Sequence, residues 1–155
     1  MNSIQESRGK GIALYFKEDK FIFSSMVKVH DFQATCLSSS ELDVISVYRS
    51  SNCKTAIEHL CSLVTPNKST IICGDFNICF NENRSHPLIQ KLLSLGFEQV
   101  VRSATHIDGG LIDHVYVCKR EQIGDVDVQL YSPYYTALDH DGLLLTVVKK
   151  RHEST

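Results

Sequence analysis

The chain has 155 residues, 43% of them apolar, which is enough to fill one core without disulfide staples and predicts a single globular domain. Its 16 basic and 18 acidic side chains are mixed along the sequence and leave a net charge of −2, so no overall basic field marks nucleic acid as a partner. The polar first ten residues and the lack of any run of about 18 apolar residues argue against a signal peptide and a spanning helix, and the expectation is an intracellular protein, nuclear or cytoplasmic, away from membranes.

Residues 1–8 are expected to be disordered, 9–148 to form the domain and 149–155 to be a frayed tail. Alternating apolar positions predict strands over 11–16 and 20–27, joined as a hairpin by Lys17-Glu18-Asp19, then strands over 32–37 and 42–48. Over 53–64 the period changes: Ala56, Ile57, Leu60, Leu63 and Val64 share one helical face, with Ser51 or Asn52 as cap. Pro66-Asn67 breaks that helix, so the Asn67-Lys68-Ser69 sequon reads as an ordinary polar turn. A strand over 69–73 is ended by Gly74. A second helix spans 87–95, with Ser85 or His86 as cap, Pro87 in its first turn and Gly96 as its stop. Strands over 97–101, 112–118, 126–130 and 143–148 complete the set.

The two helices do not alternate regularly with the strands. The expected class is therefore α+β, an α/β sandwich of two packed mixed sheets with outer helices. Six cysteines (Cys36, Cys53, Cys61, Cys73, Cys79 and Cys118) lack the paired spacing of a zinc site and read as reduced core thiols.

Chemistry concentrates in three places: Gly74-Asp75-Phe76-Asn77, Ile112-Asp113-His114 and Leu138-Asp139-His140, each at a strand edge, where open sheets gather reactive groups. Taken singly, each has a plain structural explanation: a tight turn, a surface pair at a strand start, a hairpin loop. Together they match what phosphodiester hydrolysis asks for: a proton acceptor for water, donors to the phosphoryl oxygens, and the one or two carboxylates that Mg²⁺ needs.

Gly74-Asp75-Phe76-Asn77, then Thr105-His106 with Gly109-Gly110-Leu111-Ile112-Asp113-His114-Val115-Tyr116-Val117, then Asp139-His140, resembles the C-terminal part of the endonuclease/exonuclease/phosphatase superfamily. The Thr105 to Val117 stretch is most similar to retroelement-type endonucleases, which also resemble the abasic-site endonucleases. The resemblance runs from about Gly9 to Val148, since Gly11 to Tyr15 is similar to the family's Gly-rich strand entry and Val47-Tyr48-Arg49 to its Tyr-bearing strand end.

That resemblance implies roles. Asp75 would orient and deprotonate the attacking water, and Asn77 would hold the water or the phosphate. Asp139 would ligate Mg²⁺, for which Mn²⁺ could substitute. His140 would contact the scissile phosphate with Asp113 as its orienting carboxylate, and Tyr48 would hydrogen-bond the phosphate or leaving oxygen. Thr105, His114 and Arg49 are expected on the substrate side, Arg49 with a surface position as the equal alternative.

Two departures stand out. The family's upstream Asn and metal-binding Glu have no counterpart ahead of Gly11, where Asn2 and Glu6 are poor substitutes, and Leu138 replaces the usual Ser before Asp-His. The domain is therefore expected to be truncated at its N-terminus. The leading expectation is a Mg²⁺-dependent endonuclease acting on DNA, weak or inactive if truncated. The alternatives are a phosphatase or phosphodiesterase for small or lipid phosphates, and an inactive remnant serving as a binding or structural module.

Overall fold

A computed structural model describes residues 2–4, 12–131 and 138–150. Its centre is a six-stranded mixed sheet built from β3 (Ile22–Val29), β4 (Phe32–Ser38), β5 (Leu42–Arg49), β6 (Ser69–Asp75), β7 (Glu98–Gln99) and β8 (Asp113–Cys118), in the order β3-β4-β5-β6-β8-β7. The β5–β6 pair is parallel and every other pair is antiparallel. A parallel pair needs a crossover, and α1 (Ala56–Leu63) supplies it. Together with α2 (Pro87–Ser94), α1 covers one side of the sheet with Ala56, Leu60, Leu63, Leu88, Ile89 and Leu92. A second sheet, β9 (Ile123–Tyr131) paired with β10 (Gly142–Lys149), packs Val126, Val128, Leu130, Leu143, Leu145 and Val147 against the core in strict alternation. The α+β sandwich expected from the sequence is the fold observed. No helix among the described residues is long and apolar enough to cross a membrane.

The predicted hairpin joining the first two strands does not form. β2 (Leu14–Phe16) pairs instead with β1 (Asn2–Ile4), and β3 turns tightly at His30-Asp31 onto β4, Val29 facing Phe32. The turn over 17–20 thus carries the chain from one sheet to another. Residues 2–4 run antiparallel along β2, Asn2 facing Phe16 and Ile4 facing Leu14. Glu6, the Gly11 end of the first strand and tail residues 151–155 lie outside the described residues.

Helix ends follow their chemistry. α1 starts later than the Ser51 or Asn52 cap implied, with Thr55 at the cap position. The Thr55 hydroxyl lies 3.9 Å from Cys53 Sγ and makes no cap bond, so the first-turn N–H groups keep no side-chain partner. α2 is capped by His86, whose Nδ1 accepts from the Leu88 N–H at 3.2 Å, and it closes through Gly96 at φ 88°. There the Phe97 N–H reaches the Leu92 carbonyl and the Gly96 N–H reaches that of Leu93.

Gly74 does not end β6; the strand runs on through Asp75. At φ 143°, a Cβ on Gly74 would sit 1.9 Å from the Val47 carbonyl oxygen. Glycine is thus the residue that lets β5 and β6 close on each other where the acidic residue follows.

Candidate active site

Strand register assembles the first half of the site. Tyr48 on β5 lies beside Asp75 on β6, and Asp75 lies opposite Asp113 on β8. Partners in register point to the same face, so three residues from distant parts of the sequence form a row across three strands. Just past Asp75 the chain turns: Asn77 adopts φ 50°, and its N–H donates to Asp75 Oδ1 at 3.0 Å. The motif is thus the tight turn that one reading of the sequence expected, and it holds Asp75 in that row. The Asn77 side-chain amide donates to the Arg49 carbonyl at 2.7 Å, which leaves its Oδ1 as an acceptor.

The second half arrives on the loop before β10. His140 Nδ1 meets Asp113 Oδ2 at 2.8 Å, and the ligand atoms of Asp75, Asp113 and His140 all lie within 4.8 Å of one another. The same holds for His106, Asp139 and His140, so His140 belongs to both groups. Backbone bonds fix this loop in place: Ile107 N–H to the Asp139 carbonyl at 2.8 Å and Asp141 N–H to the Thr105 carbonyl at 2.7 Å.

The electrostatics sort the roles. Burial raises the Asp75 carboxyl above the ordinary aspartate value, its bond from the Asn77 N–H pulls the other way, and the Asp113 charge adds to the rise. For His140, partial burial works against protonation, but the Asp113 hydrogen bond and the charges of Asp113, Asp75 and Asp139 outweigh it and raise its pKa. The cluster therefore holds a carboxylate poised to accept a proton beside an imidazole poised to be a cation. Asp139 faces water, with 69% of its side chain exposed, and lies 3.7 Å from His106 Nε2.

Three residues placed on the substrate side by the sequence lie elsewhere. His114 is completely buried, stacked on Phe76 at 4.8 Å, with Nε2 held by the Ile78 and Leu111 carbonyls and Nδ1 by the Tyr116 hydroxyl. Burial lowers its pKa to about 4, so it is a neutral core imidazole. Strand alternation explains this: Asp113 takes the site face, so the next residue must take the other. Thr105 is also buried, and its hydroxyl accepts the N–H groups of Ile112 and Asp113 at 3.3 and 3.0 Å, which makes it a positioning residue. Arg49, one residue past Tyr48, points to the opposite face; it is 3% exposed and donates to the carbonyls of Phe76 and Cys53 at 3.1 and 2.7 Å.

His106 is the residue that sequence reasoning left without a role. Its signal was the Thr105-His106 pair just ahead of Gly109-Gly110, a loop that returns to the Asp139-His140 segment.

Comparison with models of known protein families gives no match, and comparison with curated protein sequences gives none. Solved structures do match. The endonuclease domain of TRAS1, a telomere-specific non-LTR retrotransposon, aligns with a TM-score of 0.57 at 13% identity, over 88% of this chain and 70% of that one. The Haemophilus ducreyi cytolethal distending toxin aligns with a TM-score of 0.55 at 16% identity, over 90% of this chain and 61% of that one. An endonuclease/exonuclease/phosphatase family protein from Leptotrichia buccalis C-1013-b aligns at 0.49 and 14% identity, over 75% and 53%. The likeness to the TRAS1 domain and to the toxin shows that this chain shares their fold, and the chain spans between about half and 70% of the length of the three structures.

Proposed function

We propose that this domain is a metal-dependent phosphodiester hydrolase of endonuclease type, with DNA as substrate. One observation carries the reading: three separate segments of the sequence bring Asp75, Asp113 and His140 within 4.8 Å and set His106 and Asp139 against the same histidine.

The donor set fits a hard divalent cation. Asp139 is exposed and Asp113 offers a further carboxylate oxygen, which suits Mg²⁺, with Mn²⁺ as substitute. When bound, such an ion stabilises the charge that develops on the phosphoryl oxygens. The chain's own groups do the rest. Asp75 takes the proton of a water whose oxygen bonds to phosphorus while the bond from phosphorus to the leaving oxygen breaks. Asn77 Oδ1 accepts from that water and orients it. His140, held at Nδ1 by Asp113, presents Nε2 to a phosphoryl oxygen as a charged donor. Tyr48, beside Asp75 on the same face, reaches the phosphate or the leaving oxygen with its hydroxyl.

The choice of DNA is supported by the resemblance of the Thr105 to Val117 stretch to retroelement-type endonucleases. The test is nicking of supercoiled plasmid by the purified chain with and without Mg²⁺, beside Asp75→Ala. Nicking that needs the ion and vanishes in the variant is the expected result. Folded protein that releases phosphate from small or lipid substrates and leaves plasmid intact would replace the reading with that of a phosphatase. Folded protein inert on all of these would replace it with a binding module.

A further inference from the structure

On the sheet face opposite the acidic cluster, a pocket of about 660 Å³ opens between the starts of the two helices. Its walls include Arg49, Ser51, Asn52, Lys54 and His86, together with the first residues of α1 and α2. Among the described residues no aspartate or glutamate lines it. Three independent features give it hydrogen-bond donors in excess of acceptors.

First, Arg49 is a buried guanidinium whose described partners are all carbonyls: Phe76, Ser51 and Cys53. Its Nε–H is buried without a partner. A buried charge is stable when an opposite charge or a full set of hydrogen bonds meets it; here the Asp31 carboxylate, outside the pocket wall, supplies an opposing charge, and the hydrogen-bond set is incomplete. Second, α1 starts without a side-chain cap, so the N–H groups of Ala56 and Ile57 present the positive end of the helix dipole to the same space. Third, His86 spends Nδ1 on the Leu88 N–H, which fixes the hydrogen on Nε2 and leaves it as a donor without a described protein partner.

From these we propose that the pocket is a second ligand site of this domain and takes a phosphate group. A phosphate oxygen satisfies uncapped helix N–H groups, a free imidazole N–H and a lysine ammonium together, and its charge offsets the buried guanidinium. The volume exceeds what inorganic phosphate needs, so the group can belong to a larger molecule, either a free phosphorylated metabolite or a nucleic-acid strand. The site also communicates with the cluster across the sheet. The Arg49 side chain holds the Phe76 carbonyl, and the Arg49 carbonyl holds the Asn77 side chain, so an anion beside Arg49 bears directly on the turn that carries Asp75 and Asn77.

The test is a titration of the full chain with inorganic phosphate at constant ionic strength, with chloride as the control, followed by amide NMR shifts. Saturable shifts at Lys54, Ala56, Ile57 and Leu88 are expected in the native chain and equally in His140→Ala, which separates this pocket from the acidic cluster. Lys54→Glu, at an exposed position, should weaken the binding at least tenfold. His86→Gln, which removes the Nε2–H donor of the ring, should weaken it less and serves if the first variant does not fold. A short DNA duplex producing the same shifts would identify a strand phosphate as the source, whereas shifts with inorganic phosphate alone would identify a free metabolite. The absence of shifts at these amides, or shifts unchanged in both variants, would overturn the proposal.

Discussion

His140 and Asp113, 27 residues apart, are joined by a 2.8 Å bond between Nδ1 and Oδ2. That bond fixes which ring nitrogen faces the substrate and keeps the imidazole charged. Asp113→Asn should lower the His140 pKa and reduce any cleavage rate by roughly 10²-fold or more, within the range a general acid–base pair supplies. Histidine ring NMR titration checks the first effect and plasmid nicking the second. An unmoved His140 titration would reject the pairing.

The pH profile follows from the two raised groups. Cleavage should fall at low pH as Asp75 protonates and at high pH as His140 loses its proton, with both limits above the ordinary aspartate and histidine values. The His140–Asp113 pair also contributes to stability. Because the folded pKa lies above the unfolded one, this contribution is fully present below pH 6.5 and is lost as pH rises through the raised value. Denaturant midpoints measured across that window, compared with His140→Gln, would show it.

His114 should act in the opposite direction. Its folded pKa of about 4 lies below the ordinary 6.5, so the unfolded chain binds a proton that the core refuses, and stability should fall as pH drops from 6.5 toward 4. Each pH unit between these values costs about 1.4 kcal/mol, on the order of 3 kcal/mol over the whole interval. Urea titrations at pH 7, 5.5 and 4.5 would measure the slope, and His114→Phe should flatten it.

Gly74→Ala should destabilise the fold by at least about 3 kcal/mol, because overpacking and an unfavourable φ each cost about 1–3 kcal/mol. The added methyl would collide with the Val47 carbonyl, and strands β5 and β6 would have to part. A melting curve close to that of the native chain would contradict this.

Thr105→Val keeps the shape of the side chain but removes the acceptor for two backbone N–H groups, at a cost of about 2 kcal/mol or more. Thr105→Ser should restore both the stability and any cleavage.

Hydrophobic period made most of the architecture legible. Both helices, the long strands and the order of the acidic motifs followed from alternation and from punctuation by Pro87, Gly96 and Pro66-Asn67. The pairing of β2 was not legible, since nothing in three apolar residues says which edge they will join. Side-chain direction also escaped motif reading. His114 and Arg49 each follow a site residue by one position, and in a strand that single step carries a side chain to the far face. Counting parity from Asp113 and Tyr48 would have placed both correctly.

The loop of Asp139 and His140 joins β9 to β10, a ribbon with no third strand beside it among the described residues. The row of Tyr48, Asp75 and Asp113 belongs instead to the six-stranded sheet, so the two halves of the cluster live on parts of unequal strength. Detachment of the ribbon breaks the links from Ile107 to Asp139 and from Thr105 to Asp141 and removes His140 from its carboxylate while the main sheet stays closed. Heating should therefore disarm this protein before it melts, and amide exchange along β10 would report how often the cluster comes apart at rest.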